Sequence, residues 1–135
     1  MKNELTFKQT FLGSLIAGAC AAVVNNIWHA LHIAMSGFTP PEMISPGRVV
    51  MSSVVPLVVA GLGFYIAQRW IPKGRLVYII SVVVLALLSC LGNFAPMLPD
   101  GSPMPTGFAM HTVPMHLIAG VFALLIPRFA ARMKA

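Results

Sequence analysis

Acidic residues are nearly absent from this sequence, because Glu4, Glu42 and Asp100 are the only carboxylate side chains in its 135 residues. None of them lies inside the long apolar segments described below, so a carboxylate general acid or a carboxylate metal bridge is excluded there. Charged residues make up 9% of the chain and hydrophobic residues 58%, whereas soluble domains contain roughly 25% charged residues. The composition predicts an integral membrane protein, and enzymatic activity is the less favoured class of function.

Cysteine is also rare. Cys20 and Cys90 lie in different apolar segments, without the close spacing of a zinc site or a redox pair. Buried cysteine behaves as a small apolar residue, so both are expected to be structural. A disulfide bond or thiol chemistry is the alternative.

Basic residues do not form a patch, although the net charge is +6. They lie at the ends of the apolar segments and lack the interleaved aromatic residues of a nucleic-acid-binding surface. The predicted partner is the lipid bilayer, and no nucleic-acid partner is expected.

Four apolar segments make up most of the chain, and each is close to or longer than the roughly 20 residues that span a bilayer as a helix. They cover approximately residues 10–35, 47–70, 76–97 and 109–129. The first stays apolar beyond the point where a secretory signal would be cleaved, so it is expected to be retained. The short connections predict an all-α integral membrane fold with four transmembrane helices in an antiparallel up-down-up-down bundle. Residues 1–135 then form a single domain.

The basic residues predict the orientation of this bundle. Eight of the nine precede the first segment, join the second to the third, or follow the fourth, and only Arg48 lies in another connection. By the positive-inside rule, both termini are cytoplasmic. All four histidines then lie near the extracytoplasmic face.

Small and polar side chains share one face of the first helix, at about 100° per residue. Such residues mediate contact between membrane helices, so this stripe is expected to face the bundle. The stripe consists of Ser14, Gly18, Ala22, Asn25, His29, His32 and Ser36. The same reasoning predicts an inner stripe of Ser52, Pro56, Ala60, Gly63 and Ala67 on the second helix.

Polar and ionisable side chains at membrane depth cost a few kcal/mol or more, so they usually mark a functional cavity. A ligand site is therefore predicted near the extracytoplasmic face. Its candidate residues are Asn25, His29, His32, Asn93, Met115 and His116.

A metal ion or haem is one candidate for this ligand. Imidazole binds copper, zinc and haem iron, and thioether suits cuprous ion. His29 and His116 are the predicted ligands, assisted by Met35 or Met115. His111 projects about 140° away from His116, so it is expected at the level of the lipid headgroups.

Other interpretations stay open. The polar side chains can simply bond across helices and fix their register. Alternatively, a homo-oligomer lines a path for transport or channel function with Asn, Ser and His. A structural or accessory membrane subunit is the third alternative.

Two phrases resemble an uncharacterised family of small bacterial four-span membrane proteins, classified as a domain of unknown function. They are ISPGRVVMSSVVPLVVAGL at Ile44–Leu62 and MHTVPMHLIAGVFALLIPRFA at Met110–Ala130. The resemblance implies a location in the bacterial inner membrane, and it implies no activity. It singles out Pro46, Ser53, Pro56, Met115 and His116.

Overall fold

The computed structural model describes residues 4–133, which form four α-helices and one 3₁₀ turn. Helix α1 spans Phe7–Ser36, α2 spans Pro46–Trp70, α3 spans Gly74–Leu91 with the 3₁₀ turn Gly92–Phe94 after it, and α4 spans Phe108–Arg132. Each helix, α3 together with its 3₁₀ turn, is long and apolar enough to cross a membrane. The predicted all-α fold with four candidate spans is confirmed, and it indicates a multi-pass membrane protein.

Local signals determine where the helices begin and end. The Thr6 hydroxyl accepts from the Gln9 N–H at 3.2 Å, and Gln9 Oε1 accepts from the Thr6 N–H at 2.9 Å. This reciprocal cap starts α1 before the predicted residue 10. Ser45 caps α2, with proline at its first position. Helix α3 ends before the predicted residue 97, because a 3₁₀ turn begins at Gly92.

Helix α1 is the central element, since its contacts with α2 and α4 are the most extensive in the bundle. Small residues permit this close approach: a Cβ added to Gly13 would lie 2.6 Å from the Ala130 backbone nitrogen, and one added to Gly61 would overlap the Ser14 side chain. The core between the helices consists of Ala17, Ala21, Leu57, Phe64, Ala67, Tyr78, Val82, Ala123 and Ile126.

The stripe predicted for α1 is buried from Ser14 to His32, and only Ser36 is exposed. Of the stripe predicted for α2, Ala67 is buried and Ala60 half-buried, but Ser52, Pro56 and Gly63 are exposed, so the predicted rotation is wrong. Small residues occur on both faces of α2, so they do not mark the inner one. The rotation of α2 depends instead on which of its bulky side chains pack into the core. The buried residues of α2 are Val49, Ser53, Leu57, Gly61, Phe64 and Ala67.

Two connections, residues 37–45 and 95–107, lie at one end of the bundle, which we call the histidine end. A second apolar cluster of Phe38, Leu98 and Phe108 packs there. Asp100 accepts hydrogen bonds from the Ser102 hydroxyl at 2.6 Å and the Ser102 N–H at 2.9 Å, and these bonds lower the pKa of Asp100. The opposite end, which holds the α2–α3 turn, is called the basic end.

Candidate functional site

Three histidines from two helices form a continuous chain at the histidine end. Nδ1 of His29 lies 2.9 Å from Nε2 of His111, and Nδ1 of His111 lies 2.9 Å from Nδ1 of His32. All three residues are buried, and His111 is completely inaccessible to solvent. We call these three residues the histidine chain.

Aromatic residues enclose the histidine chain. The Trp28 indole N–H donates to the carbonyl oxygen of His111 at 2.8 Å, which joins α1 to the first turn of α4. The Phe38 ring centroid lies 4.9 Å from that of His111 and 5.6 Å from that of His32. Trp28 therefore helps to position His111.

His111 is completely buried among protein side chains, so it does not face the lipid headgroups as predicted. The 140° separation from His116 is reflected in the structure, since the two side chains belong to different groups. Both nevertheless face protein, because α4 packs against α1 on the side of His111 and borders a cavity on the side of His116. A helix surrounded by neighbours buries more than one face, and the sequence does not reveal how many.

The geometry of the histidine chain permits proton transfer between its rings. A neutral imidazole donates from one nitrogen and accepts at the other. Both nitrogens of His111 have histidine partners, so a neutral His111 donates to one partner and accepts from the other. The two hydrogen bonds therefore point the same way along the chain. A proton that enters at one terminal histidine and leaves at the other reverses both bonds.

The histidine chain does not form a ring of metal ligands. A shared ion needs one nitrogen from each ring to point at the same place. His111 instead contacts His29 and His32 through different nitrogens. Within residues 4–133, no group of three or more His, Cys, Asp or Glu side chains is arranged to hold a metal ion.

The His32 end of the chain borders a cleft of about 520 Å³ at the histidine end. Residues of both connections and of the adjoining ends of α1 and α4 also line this cleft: Ser36, Gly37, Phe38, Thr39, Pro105, Thr106, Gly107 and Met110. The histidine chain therefore leads from a cleft at the end of the bundle toward its interior.

A separate polar cavity of about 330 Å³ lies between α1, α2, α4 and the 3₁₀ turn, and we call it the polar cavity. Four of the predicted site residues line it: Asn25, Asn93, Met115 and His116. Its other lining residues are Met43, Ile44, Arg48, Val49, Ser52, Ser53, Phe108, Thr112 and Ala119.

Asn25 is the most informative residue of the polar cavity. It is 3% exposed, and its Nδ2 donates to Ser53 Oγ at 2.9 Å. Ser53 uses its only hydroxyl hydrogen to donate to the Val49 carbonyl at 2.8 Å, so Asn25 must present its NH₂ group to Ser53. Asn25 Oδ1 is then buried with no hydrogen-bond partner among residues 4–133.

The remaining wall groups define what the polar cavity can bind. Thr112 donates its hydroxyl hydrogen to the Phe108 carbonyl at 2.8 Å, which leaves oxygen lone pairs. Asn93 Nδ2 donates to the carbonyl oxygens of Ser89 and Cys90. The cavity wall therefore carries a few hydrogen-bond acceptors in a mostly apolar lining. Arg48 supplies a cation, with Nη1 donating to the Glu42 carbonyl at 2.9 Å.

The structure thus divides the predicted site residues into two groups. His29 and His32 belong to the histidine chain, whereas the other four border the polar cavity. Among the residues described, no hydrogen bond or ring contact joins His29 to His116, the two predicted metal ligands. Met35 is 81% exposed and lies outside both groups.

Three residues of the histidine chain and the polar cavity were not predicted as site residues. The complete burial of His111 is not predicted by helical projection, and Ser53 is indicated only by the family resemblance. Arg48 was used only as a topology signal. Its isolation from the other basic residues was the one sequence feature that set it apart.

Cys20 and Cys90 are free thiols.

No protein-family model, curated protein or solved structure matches this chain.

Proposed function

We propose that this chain is a bacterial inner-membrane protein that binds a small polar organic ligand in the polar cavity, near the extracytoplasmic face. The buried and unpartnered Asn25 Oδ1 carries this proposal. A buried acceptor without a partner costs about 1–3 kcal/mol, and a ligand that donates a hydrogen bond to it removes that cost.

The proposed topology is an antiparallel up-down-up-down bundle with both termini in the cytoplasm. Two contacts support it, since Leu5, just before α1, bonds to Gln68 near the end of α2, and Asn25 of α1 bonds to Ser53 near the start of α2. The positive-inside rule places the basic end in the cytoplasm. The family resemblance supports the bacterial inner membrane.

The wall chemistry suggests the class of ligand. Acceptors at Asn25 and Thr112 suit a molecule with hydroxyl or N–H donors. The Arg48 guanidinium suits an acidic or strongly accepting group at the other end of the same molecule. The volume of about 330 Å³ is at the small end of ligand pockets.

The test compares two neighbouring asparagines. Asn25→Leu removes the cavity acceptor, whereas Asn26→Leu changes a side chain that bonds to its own helix at the Ala22 carbonyl and does not line the cavity. Proteins purified in mild detergent are denatured, and the extracts are analysed by mass spectrometry for small molecules.

We expect a small polar molecule at near-equimolar amounts with the wild type and Asn26→Leu, and at least about tenfold less with Asn25→Leu, because one buried hydrogen bond is lost. A wild type that carries no such molecule contradicts the proposal. Equal retention by all three proteins contradicts it too.

The histidine chain supports a second candidate function, proton conduction in a channel-like protein. Vesicles that contain the protein and a pH-sensitive dye are given a proton gradient. Wild type and His116→Phe are expected to dissipate the gradient faster than empty vesicles. His111→Phe, which interrupts the chain, is expected to match empty vesicles. Equal flux through both variants would exclude the chain as the path.

Haem, copper or zinc bound by His29 and His116 stays a prediction, and so do a homo-oligomeric transporter and an accessory subunit. An absorption spectrum and elemental analysis of wild type and His116→Ala address the first. A haem band or equimolar metal that disappears in the variant would replace the organic ligand proposed above.

A further inference from the structure

A further concave surface lies at the basic end, remote from the histidine chain and the polar cavity. It is a groove of about 670 Å³ beside the α2–α3 turn, and we call it the basal groove. It is lined by Glu4, Leu5, Phe64, Gln68, Ile71, Lys73, Gly74, Arg75, Leu76, Ile79, Pro127 and Ala131.

The floor of the basal groove is apolar. Phe64, Ile71 and Ile79 line it from two helices and their connection, and Pro127 lines it from α4. Ile71 and Ile79 are exposed to 41% and 37%. In a bilayer, such a surface is covered by hydrocarbon, and a concave one accommodates an acyl chain.

The rim of the basal groove is positively charged. Lys73 and Arg75 line it, and Glu4 is the only acidic lining residue among residues 4–133, so two cations face one anion there. The turn that carries the cations is held close to α2, because a Cβ on Gly74 would overlap the Ala67 carbonyl. Lys73 has φ of 57°, the left-handed region.

The start of α3 adds to this positive potential. Its first turn contains no acidic residue, and no side chain caps it. The N–H groups at a helix N-terminus favour an anion nearby. The basal groove therefore combines an apolar floor with a cationic rim at one end.

From this charge complementarity we infer that the basal groove binds one anionic phospholipid, with its phosphate near Lys73 and Arg75 and an acyl chain along the apolar floor. Basic pockets between membrane helices on the cytoplasmic side recognise anionic lipid headgroups in this way. The inference requires that the chain lies in a bilayer, as proposed above, and does not depend on ligand binding in the polar cavity.

Binding is measured by native mass spectrometry of the purified chain, titrated with phosphatidylglycerol or with phosphatidylcholine of identical acyl chains. The test variant is Lys73→Gln with Arg75→Gln. The control is Arg128→Gln with Arg132→Gln, which removes two cations from the exposed end of α4 that do not line the groove.

Wild type and the control are expected to bind phosphatidylglycerol about tenfold or more tightly than phosphatidylcholine. The test variant is expected to bind both lipids equally. Glu4→Gln provides a change of opposite sign, because removing the only anion of the rim tightens phosphatidylglycerol binding. Inorganic phosphate at millimolar concentration is not expected to displace the lipid.

Several results would overturn the inference. One is equal binding of the two lipids by wild type, and another is an equal loss of preference in both double variants, which indicates general electrostatic attraction. Weaker binding by Glu4→Gln also contradicts it. Displacement of the lipid by inorganic phosphate would show an anion site without an acyl-chain site.

Discussion

At the scale of single residues, the four histidines differ in burial and in their partners. His111 is completely buried between His29 and His32, whereas His116 borders the polar cavity without a hydrogen-bond partner among residues 4–133. His111 is expected to stabilise the fold, because the buried rings of His29 and His32 both hydrogen-bond to it. This difference leads to a prediction for stability.

Replacing His111 with phenylalanine keeps an aromatic ring of similar size but removes both nitrogens. Nδ1 of His29 and Nδ1 of His32 then lose their partners. We expect the free energy of unfolding to fall by about 1–3 kcal/mol, measured by reversible unfolding in mixed micelles. His116→Phe is the control, and its loss should stay below about 1 kcal/mol. Equal losses in the two variants would show that the histidine chain does not stabilise the fold.

The sequence identified most of the candidate residues but not their partners. Asn25, His29 and His32 were recognised because polar groups are costly in an apolar helix. Which of them met His111 and which met Ser53 depended on the rotation and axial position of α4 and α2. Those quantities come from packing between helices and not from periodicity along one helix.

At the scale of helices, the packing of α2 on α1 depends on one glycine. Gly61 faces Ser14 so closely that an added Cβ would overlap it, whereas an added Cβ on Gly63 meets nothing within 4 Å. The two glycines lie on opposite sides of the same helix. They therefore provide a matched pair for testing how closely α1 and α2 approach.

We expect Gly61→Ala to lower the free energy of unfolding by about 1–3 kcal/mol, because an overpacked contact forces the helices apart. Gly63→Ala should be neutral or stabilising by up to about 1 kcal/mol, since alanine is the better helix former. Unfolding of both variants in mixed micelles measures the difference. A stabilising Gly61→Ala would contradict the close contact between α1 and α2.

Helix rotation was predictable for α1 and not for α2, and the reason is the contrast between their faces. In α1, polar and small residues lie opposite Val23 and Ile27, which are 60% and 54% exposed. In α2, apolar residues cover every face. Leu57 and Phe64 occupy the core because their volume fills it. The sequence of α2 contains no polar pattern that indicates this face.

At the scale of the whole molecule, composition and segment length were sufficient to predict four candidate spans, because both follow from bilayer thickness. The lengths of the connections also suggested the order of neighbours. The polar cavity was not predictable as a volume, since it arises where α1, α2, α4 and the 3₁₀ turn leave space between them.

The most direct test of an extracytoplasmic polar cavity is cysteine labelling in intact cells, in a background with Cys20→Ala and Cys90→Ala. Thr112→Cys places a thiol on the cavity wall, Lys73→Cys places one at the basic end, and Ala123→Cys places one in the closed core. We predict that a membrane-impermeant methanethiosulfonate reagent modifies Thr112→Cys from outside, modifies Lys73→Cys only after permeabilisation, and leaves Ala123→Cys unmodified. Labelling of Lys73→Cys from outside, or an unreactive Thr112→Cys, would contradict the orientation and the cavity together.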